Sequence, residues 1–340
     1  MIKVAMIGFG GIAQIHRYAY WLLSKAGVPV RLVAACDRDP EKFKTVTRIN
    51  LPLGEITNEE PFRAYFDMEE MLAKEEVDLV DICLPTQFHA DNSIALLNRG
   101  YSVLCEKPMA PSYEDCKRML KAAEGRPNQL MIGQCVRFYR EYEYLKRLVD
   151  SGIYGPVRSS AFYRYSPPPF WSRDNWQMDV NKSGGCLVEL GIHDVDYVRF
   201  LFGEPQTISC RMESNVVEHD HVVSTLHYPE LPVVVHSGWV TPEEPFEYGF
   251  TVEFEQATVK MHCGDITVAE RNCEEKTVYI PLRDGIIGEI EYFINLLEQK
   301  EENWKNPPES SARTILMLEK LKESAAHNSQ MLQWEEILSE

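Results

Sequence analysis

One short segment of the sequence carries three side chains that are able to cooperate in proton transfer. Glu189, His193 and Asp196 are spaced i, i+4 and i+7, so an α-helix would place all three on one face. An imidazole beside carboxylates has the pKa range that a general base needs to take a proton from a hydroxyl group. The same pattern is also typical of a partly buried histidine that makes only capping and salt contacts, and the segment alone leaves both interpretations open.

A second candidate is the lysine of Glu106-Lys107-Pro108, which follows an apolar segment. A lysine on a short turn after a buried strand is able to stabilise negative charge that develops on a substrate oxygen. Taken alone, a solvent-exposed lysine is the simpler interpretation.

The N-terminal segment contains a G-x-G-x-x-A pattern between a strand pattern and a helix pattern. Its residues are Gly8, Phe9, Gly10, Gly11, Ile12 and Ala13. The first glycine makes a tight turn, the second lets the backbone approach a pyrophosphate, and the small third residue packs the helix on the sheet. We predict that these residues, Phe9 excepted, bind a dinucleotide at the helix N-terminus.

Asp37 follows the second predicted strand, where a carboxylate would accept hydrogen bonds from the adenosine ribose hydroxyls. Its charge would repel a 2′-phosphate and therefore favours NAD. Arg38 is adjacent and would suit that phosphate, so NADP stays open. A solvated Asp-Arg pair in a turn is the alternative.

The elements that would position these residues alternate between strands and helices in the first third of the chain. Strands are predicted at Ile2–Ile7, Val30–Cys36, Val77–Leu84, Tyr101–Cys105 and Leu130–Gln134. Helical patterns lie between them, which implies parallel pairing with right-handed crossovers. The prediction is an α/β fold whose N-terminal domain, residues 1–135, is a Rossmann-type doubly wound parallel sheet that binds NAD(P).

The pattern changes after residue 136. Helices are predicted at Leu187–Phe202, Ile286–Leu297 and Ser311–Ala326, while Thr207–Ile280 mostly alternates with period two, as antiparallel strands do. Residues 136–340 are therefore predicted to form an α+β domain with a large, mostly antiparallel sheet, for substrate binding and oligomerisation. The segment Val233–Val240 is apolar on both faces, which predicts a homodimer or homotetramer through this sheet.

Bulk composition excludes several classes of partner. With 52 acidic against 35 basic residues the formal net charge is −17, so neither nucleic acid nor an anionic membrane is an expected partner. No apolar run reaches the ~20 residues that span a bilayer, and the first residues lack a signal-peptide pattern. The nine cysteines contain no C-x-x-C pair. We therefore expect a reducing, cytoplasmic location.

Two further features carry weaker signals. His219 and His221 flank Asp220 but have no evident third ligand, so no metal is predicted. Phe170, Trp171 and Trp176 lie in a proline-rich loop, and such aromatic rings either stack on sugars or simply pack.

Four motifs, taken in order, resemble the glucose–fructose oxidoreductase/inositol dehydrogenase (Gfo/Idh/MocA) family along nearly the whole chain. They are Gly8-x-Gly10-x-x-Ala13, Leu84-Pro85-Thr86-x-x-His89, Glu106-Lys107-Pro108, and Gly184-Gly185 followed by Gly191-x-His193-Asp194-x-Asp196. The resemblance implies a Rossmann domain followed by a domain with a large antiparallel sheet, as the patterns predict.

The resemblance also implies roles for single residues. Lys107 and His193 correspond to the family's catalytic lysine and histidine. Glu189 stands where the family usually has aspartate, and Gln177 follows Trp176 where arginine is frequent. Cofactor contacts are expected from Pro85, Thr86, His89, Glu106 and Lys107, and substrate contacts from Lys107, Trp176, Glu189 and His193.

The implied activity is that of an NAD(P)-dependent dehydrogenase. It would transfer a hydride between nicotinamide and a secondary hydroxyl of a sugar, inositol or related polyol. Two alternatives stay open: a glycoside hydrolase of the same fold that retains its NAD, and a non-catalytic regulator that binds a dinucleotide or a sugar.

Overall fold

The structure is a computed structural model, and it describes residues 1–44, 61–126, 129–170, 173–241, 244–281 and 283–339. The chain divides into two compact units. The first consists of Met1–Cys135 with Asp284–Ile315, and the second of Val136–Arg283 with Leu316–Glu340. None of the helices in the described ranges combines the length and the apolar character that crossing a bilayer requires.

Helices and strands are numbered along the chain. The α-helices are α1 (Gly11–Lys25), α2 (Met68–Lys74), α3 (His89–Asn98), α4 (Tyr113–Ala123), α5 (Arg140–Ser151), α6 (Val180–Ser183), α7 (Ile192–Phe202), α8 (Gly285–Gln299), α9 (Pro308–Ala326) and α10 (Trp334–Ser339). The strands are β1 (Ile2–Ile7), β2 (Val30–Cys36), β3 (Arg63–Tyr65), β4 (Leu79–Ile82), β5 (Ser102–Cys105), β6 (Leu130–Ile132), β7 (Val157–Ser166), β8 (Thr207–Glu213), β9 (His221–Tyr228), β10 (Leu231–Trp239), β11 (Glu247–Phe254), β12 (Ala257–His262), β13 (Asp265–Glu270), β14 (Lys276–Val278) and β15 (Leu332–Gln333).

The first unit contains a six-stranded sheet in the order β3-β2-β1-β4-β5-β6, and all neighbouring strands pair in parallel. Val4, Ala5 and Met6 of the central strand β1 are each 0% exposed, as expected for a strand covered on both faces. Strand order reverses direction between β1 and β4, and in such sheets ligands bind at the carboxyl ends of the strands beside this switch point. The predicted Rossmann-type fold is confirmed.

Helix α8 belongs to the first unit although it follows the second in sequence. Its residues Ile286, Ile290 and Phe293 join the apolar core that contains Val4 and Ile15. Sequence periodicity identified this helix as amphipathic but carried no information about which core it covers, and the boundaries predicted above placed it in the C-terminal domain.

The second unit contains a nine-stranded sheet in the order β14-β13-β12-β11-β7-β10-β9-β8-β15. Its pairings are antiparallel except that between β7 and β10. On β11 the alternation is as predicted, since Phe250, Val252 and Phe254 are buried and the intervening side chains are not. The large, mostly antiparallel sheet is therefore confirmed.

On β10, Val233 and Val235 are buried, whereas Val234 and His236 on the opposite face are half-buried. The assembly of this protein through that face stays a prediction.

Candidate functional site

The glycine pattern forms the turn between β1 and α1. Gly8 has φ +85°, and a Cβ there would lie 2.6 Å from the carbonyl oxygen of Cys83, so only glycine fits. At Gly10 no described protein atom lies within 4 Å of a Cβ position. The protein therefore leaves room for another molecule to approach this backbone. Ala13 is 0% exposed, which agrees with its predicted packing role.

The N-terminus of α1 is suited to an anion. Gly10 provides no side-chain cap, and the first turn contains no acidic residue. Unsatisfied N–H groups and the positive end of the helix dipole are therefore available to a ligand.

Asp37 lies directly after β2 and supports the glycine turn. One carboxylate oxygen accepts the N–H of Phe9 at 2.8 Å, and the other accepts the N–H of Asp39 at 2.9 Å. A carboxylate offers about four lone-pair sites, so capacity remains for ribose hydroxyls. Arg38 beside it is exposed.

Two loops after β4 and β5 complete this edge of the sheet. Thr86 is buried in a short 3₁₀ turn that follows Pro85. The ring nitrogens of His89 lie 2.8 Å from the carbonyl oxygen of Pro108 and 2.7 Å from that of Leu84. Burial lowers the pKa of His89, although both carbonyls favour its charged form. His89 thus braces the two loops, while Lys107, half-buried, precedes Pro108 in the second loop through a cis peptide bond.

A fully buried charge cluster lies behind the glycine turn and Lys107. His16 of α1 contacts Asp81 of β4 through Nδ1 at 2.8 Å and Glu106 through Nε2 at 3.0 Å. The Tyr20 hydroxyl donates to Asp81 at 2.9 Å, and the other oxygen of Glu106 accepts the backbone N–H of Lys107 at 3.0 Å. The cluster therefore connects the first helix to the backbone of the candidate catalytic loop.

Electrostatics define the protonation of this cluster. Burial disfavours charge on His16, but Asp81 outweighs it and raises the pKa of His16 well above its usual value. Burial likewise opposes charge on Glu106, yet the hydrogen bond with His16 lowers the pKa of Glu106. Burial and the nearby Glu106 raise the pKa of Glu289 on α8 well above its usual value. These shifts favour the charged form of His16 beside Glu106 and the protonated form of Glu289.

The same cluster has ligand types that metals accept. Donor atoms of His16, Glu106 and Glu289 lie within 4.8 Å of one another. The same holds for a second set, which consists of His16, Asp81 and Cys83. Separations of 2.8 and 3.0 Å around His16 are hydrogen-bond lengths and engage both ring nitrogens. Hydrogen bonding therefore accounts for the geometry.

In the second unit, the segment predicted as one α-helix begins with a π-helical turn, Leu187–Gly191, before α7. A π turn holds more residues than an α turn, so the regular spacing of an α-helix is not kept between Glu189 and His193. Such turns frequently occur at functional sites. Glu189 is 9% exposed and accepts a hydrogen bond from the Gln177 side chain at 3.1 Å. His193 lies half-buried at the start of α7.

Two glycines precede this turn, Gly184 and Gly185. Gly184 and Gly185 have φ +84° and +70°, and a Cβ on Gly184 would lie 2.5 Å from Val188 and 2.8 Å from the Lys322 ammonium. Backbone conformation and protein packing therefore require these glycines, without appeal to a ligand.

Two buried arginines fix α7. Arg137 holds Asp196 through two contacts of 2.7 Å, and Arg164 of β7 holds Asp194 at 2.8 and 3.1 Å. Burial opposes the charge on Arg164, but its pairing with Asp194 outweighs this and raises the pKa of Arg164. Asp196, predicted to flank His193, is thus committed to an anchoring pair.

The weaker sequence features have separate positions. Trp176 is half-buried in the 3₁₀ helix Arg173–Met178, Phe170 is 51% exposed, and Trp171 lies outside the described residues.

The Asp220 carboxylate accepts three consecutive backbone N–H groups, those of residues 215–217, and contacts His221. Its function in the structure is to shape that loop.

Sequence reasoning missed several residues of these two regions. His16, Arg137 and Arg164 were not singled out because their partners are distant in sequence. A histidine or arginine at an apolar helix or strand position was the available signal, since a buried charged side chain requires a partner.

Comparison with known proteins agrees with this architecture. A family model described as an oxidoreductase family with an NAD-binding Rossmann fold matches residues 2–134, and a GFO/IDH/MocA C-terminal domain model matches residues 142–260. These two models together cover most of the chain.

The individual relatives that match this chain have low sequence identity to it. An uncharacterized oxidoreductase of Schizosaccharomyces pombe is 30% identical over 245 residues, which cover 69% of this chain and 63% of that protein. D-apiose dehydrogenase of Rhizobium rhizogenes is 26% identical over 280 residues, or 77% of this chain and 74% of the relative. The chain matches only 55–63% of the length of three curated oxidoreductases.

Among solved structures, levoglucosan dehydrogenase in complex with NADH and levoglucosan has a TM-score of 0.81 at 17% identity. The match covers 98% of this chain and 99% of that chain. At this sequence identity it shows a shared fold and nothing further.

Proposed function

The chain belongs to the Gfo/Idh/MocA family of oxidoreductases, and from this premise we propose that it is an NAD-dependent dehydrogenase acting on a secondary hydroxyl of a sugar, inositol or related polyol. The observation that carries the proposal is the arrangement at one edge of the parallel sheet. The glycine turn, Asp37 and Lys107 follow β1, β2 and β5, whose carboxyl ends share that edge.

The residues at this edge fit a dinucleotide. The uncapped N-terminus of α1 and the open approach to Gly10 suit a pyrophosphate, and Asp37 suits the ribose hydroxyls. Pro85, Thr86 and Glu106 belong to the neighbouring loops, which His89 braces. NAD, when bound, accepts or returns the hydride.

The chain's own side chains handle the oxygen and its proton. In the oxidative direction His193 takes the proton of the substrate hydroxyl, and Lys107 stabilises the negative charge that develops on that oxygen. Glu189, held by Gln177, sets the environment of this base, and Trp176 contacts the substrate. In this proposal the proton and the charge are both managed by side chains of the protein.

The test is a substrate panel. Inositols, aldoses, glycosides and sugar nucleotides are incubated with NAD and with NADP, and NADH or NADPH is followed by absorbance. Net reduced cofactor with at least one polyol is the expected result. Release of an unoxidised sugar from a glycoside without net NADH supports the hydrolase alternative instead. Tight binding of a sugar without turnover supports the regulator, and either result ends the dehydrogenase proposal.

The proposed partner beyond the substrate is a second copy of the chain. The face of the nine-stranded sheet that carries half-buried Val234 and His236 also carries Val223, which is 36% exposed. Covering these side chains favours a homodimer or homotetramer. Light scattering at micromolar concentration tests this, and a monomer there contradicts it.

A further inference from the structure

We propose that His16 is a positioning residue for Lys107, and that it acts through the carboxylate of Glu106. The inference rests on the dehydrogenase function proposed above, because it assigns His16 a part in presenting the lysine that stabilises the substrate oxygen. No motif identified in the sequence includes His16.

The mechanical link consists of two hydrogen bonds on one carboxylate. One oxygen of Glu106 faces His16 Nε2 at 3.0 Å, and the other accepts the backbone N–H of Lys107 at 3.0 Å. Glu106 is 7% exposed, and Gly133 packs against its carboxyl group, where a Cβ would lie 3.2 Å away. The carboxylate therefore has little freedom except what His16 and Lys107 allow.

His16 is itself held on its other side. Asp81 faces Nδ1 at 2.8 Å and is hydrogen-bonded by Tyr20, while the Cys83 sulfur lies 3.8 Å from the same nitrogen. An imidazole whose two nitrogens both face carboxylates donates from both, which requires the doubly protonated ring. Its charge then compensates the two buried carboxylates.

The remaining groups around the cluster come from α8. Glu289 is 0% exposed, and neither of its oxygens has a hydrogen-bond partner among the described residues. Asp284 caps the same helix by accepting the N–H of Ile286 at 2.7 Å. Among the described residues, His16 is the side chain able to carry a positive charge that contacts both Asp81 and Glu106 directly, whereas Lys107 reaches Glu106 through its backbone N–H. Without that cation, Glu106 is left facing Asp81 and Glu289, and the carboxylate that orients the Lys107 backbone loses its anchor.

The experiment compares His16→Leu with His16→Gln, since the glutamine amide can still donate to Glu106 whereas leucine cannot. We expect His16→Leu to lower kcat by roughly ten- to a hundredfold, as a small misplacement of a catalytic group does. His16→Gln should recover much of this loss, and the Kd for NAD, measured by fluorescence, should stay within about threefold in both.

Two control variants leave the link from His16 through Glu106 to Lys107 in place. Tyr20→Phe removes a hydrogen bond to Asp81 and therefore controls for a general loss of folding stability around the cluster. Glu289→Gln replaces the carboxylic acid by an amide of the same shape. Both should keep kcat within about twofold of wild type. If Tyr20→Phe or Glu289→Gln lowers kcat as much as His16→Leu, general packing explains the effect and the proposal fails.

A readout independent of turnover separates this inference from the proposed function. Lysines are reductively methylated with ¹³C-formaldehyde, and the Lys107 signal is assigned by its loss in Lys107→Arg. A shifted or broadened signal in His16→Leu, with a smaller shift in His16→Gln, supports the link even if the wild type oxidises no polyol, in which case only the proposed function fails. An unchanged Lys107 signal with unchanged kcat overturns the role of His16, and this arm decides the question should His16→Leu fail to fold.

Discussion

The two regions that carry the proposed chemistry are held by different means. In the first unit, backbone geometry and a single cluster of buried charges fix the glycine turn and the Lys107 loop. In the second, two separate bidentate ion pairs fix the helix that carries His193. A backbone turn is specified by neighbouring residues, whereas an ion pair needs a partner from another element. The glycine turn should therefore tolerate loss of a single side chain better than the helix that carries His193.

The largest expected effect concerns the chemistry itself. His193→Ala should lower kcat by about 10²–10⁴-fold, the range typical of a general base, while the affinity for NAD changes little because the glycine turn is untouched. Lys107→Ala should also lower kcat, and the double variant should lose less than the product of both losses, since both groups are proposed to act on one oxygen. Steady-state kinetics and calorimetry measure these quantities. Full activity of His193→Ala on a verified substrate contradicts the mechanism.

The contrast in anchoring is tested by removing one partner of a buried pair. Arg137→Met leaves the Asp196 carboxylate buried and unpaired, so the free energy of unfolding should fall by about 3–5 kcal/mol. Adding Asp196→Leu should recover much of the loss, because the unpaired charge disappears. Urea unfolding measures both.

A surface pair in the same unit serves as the control. Arg158 and Glu255 form an ion pair whose side chains are 49% and 44% exposed. Arg158→Met should cost less than about 1 kcal/mol. Equal losses for Arg137→Met and Arg158→Met would mean that the buried pair anchors α7 no better than a surface pair anchors its strands.

Cofactor choice probes the first region. Asp37→Ser removes the charge that repels a 2′-phosphate, so the preference for NAD over NADP should narrow by about tenfold, or ~1.4 kcal/mol. The serine should still support the turn in part, because its hydroxyl is able to accept one N–H. Calorimetry with both cofactors provides the values, and tighter binding of NADP to the wild-type protein defeats the assignment.

The smallest effect is a dependence of stability on pH. The raised pKa of Glu289 means that the folded protein keeps a proton that the unfolded chain loses above its ordinary pKa of about 4.3. Between that value and the raised one, stability falls as pH increases, because the folded state binds more protons. Glu289→Gln removes this loss, so its advantage over wild type should be absent near pH 4 and grow as the pH rises toward 8.

Glu298→Gln on the same helix, but exposed, is the matched control and should show no such trend. Thermal unfolding across this pH range measures all three proteins. A constant difference between Glu289→Gln and wild type would mean that Glu289 is ionised in the folded state.

Local signals made the parallel sheet and its glycine turn predictable. Gly8 requires positive φ and Ala13 requires a small side chain, and both requirements are visible in the local G-x-G-x-x-A pattern. The antiparallel sheet was predictable for the same reason, since alternation along β11 is a property of one strand.

Features that depend on distant partners were not predictable. His16 finds its partner Asp81 on another strand, and no local pattern connects them. The π turn Leu187–Gly191 has the composition of an ordinary helix, so the spacing of apolar residues in the sequence did not reveal it. Lys107 and His193 were singled out because their motifs follow one another in the order of a known family. The residues that hold their segments became evident only from contacts in the structure.

Because helix α8 returns to the first unit, that unit is assembled from two stretches of chain separated by residues 136–283. During synthesis, the parallel sheet emerges long before the helix that covers the core around Val4 and Ile15. Such a nascent sheet exposes apolar surface until late in translation, and contacts between remote segments form slowly. A fragment that stops at Cys135 should consequently aggregate on its own, and addition of a peptide spanning 284–315 in trans should restore its solubility.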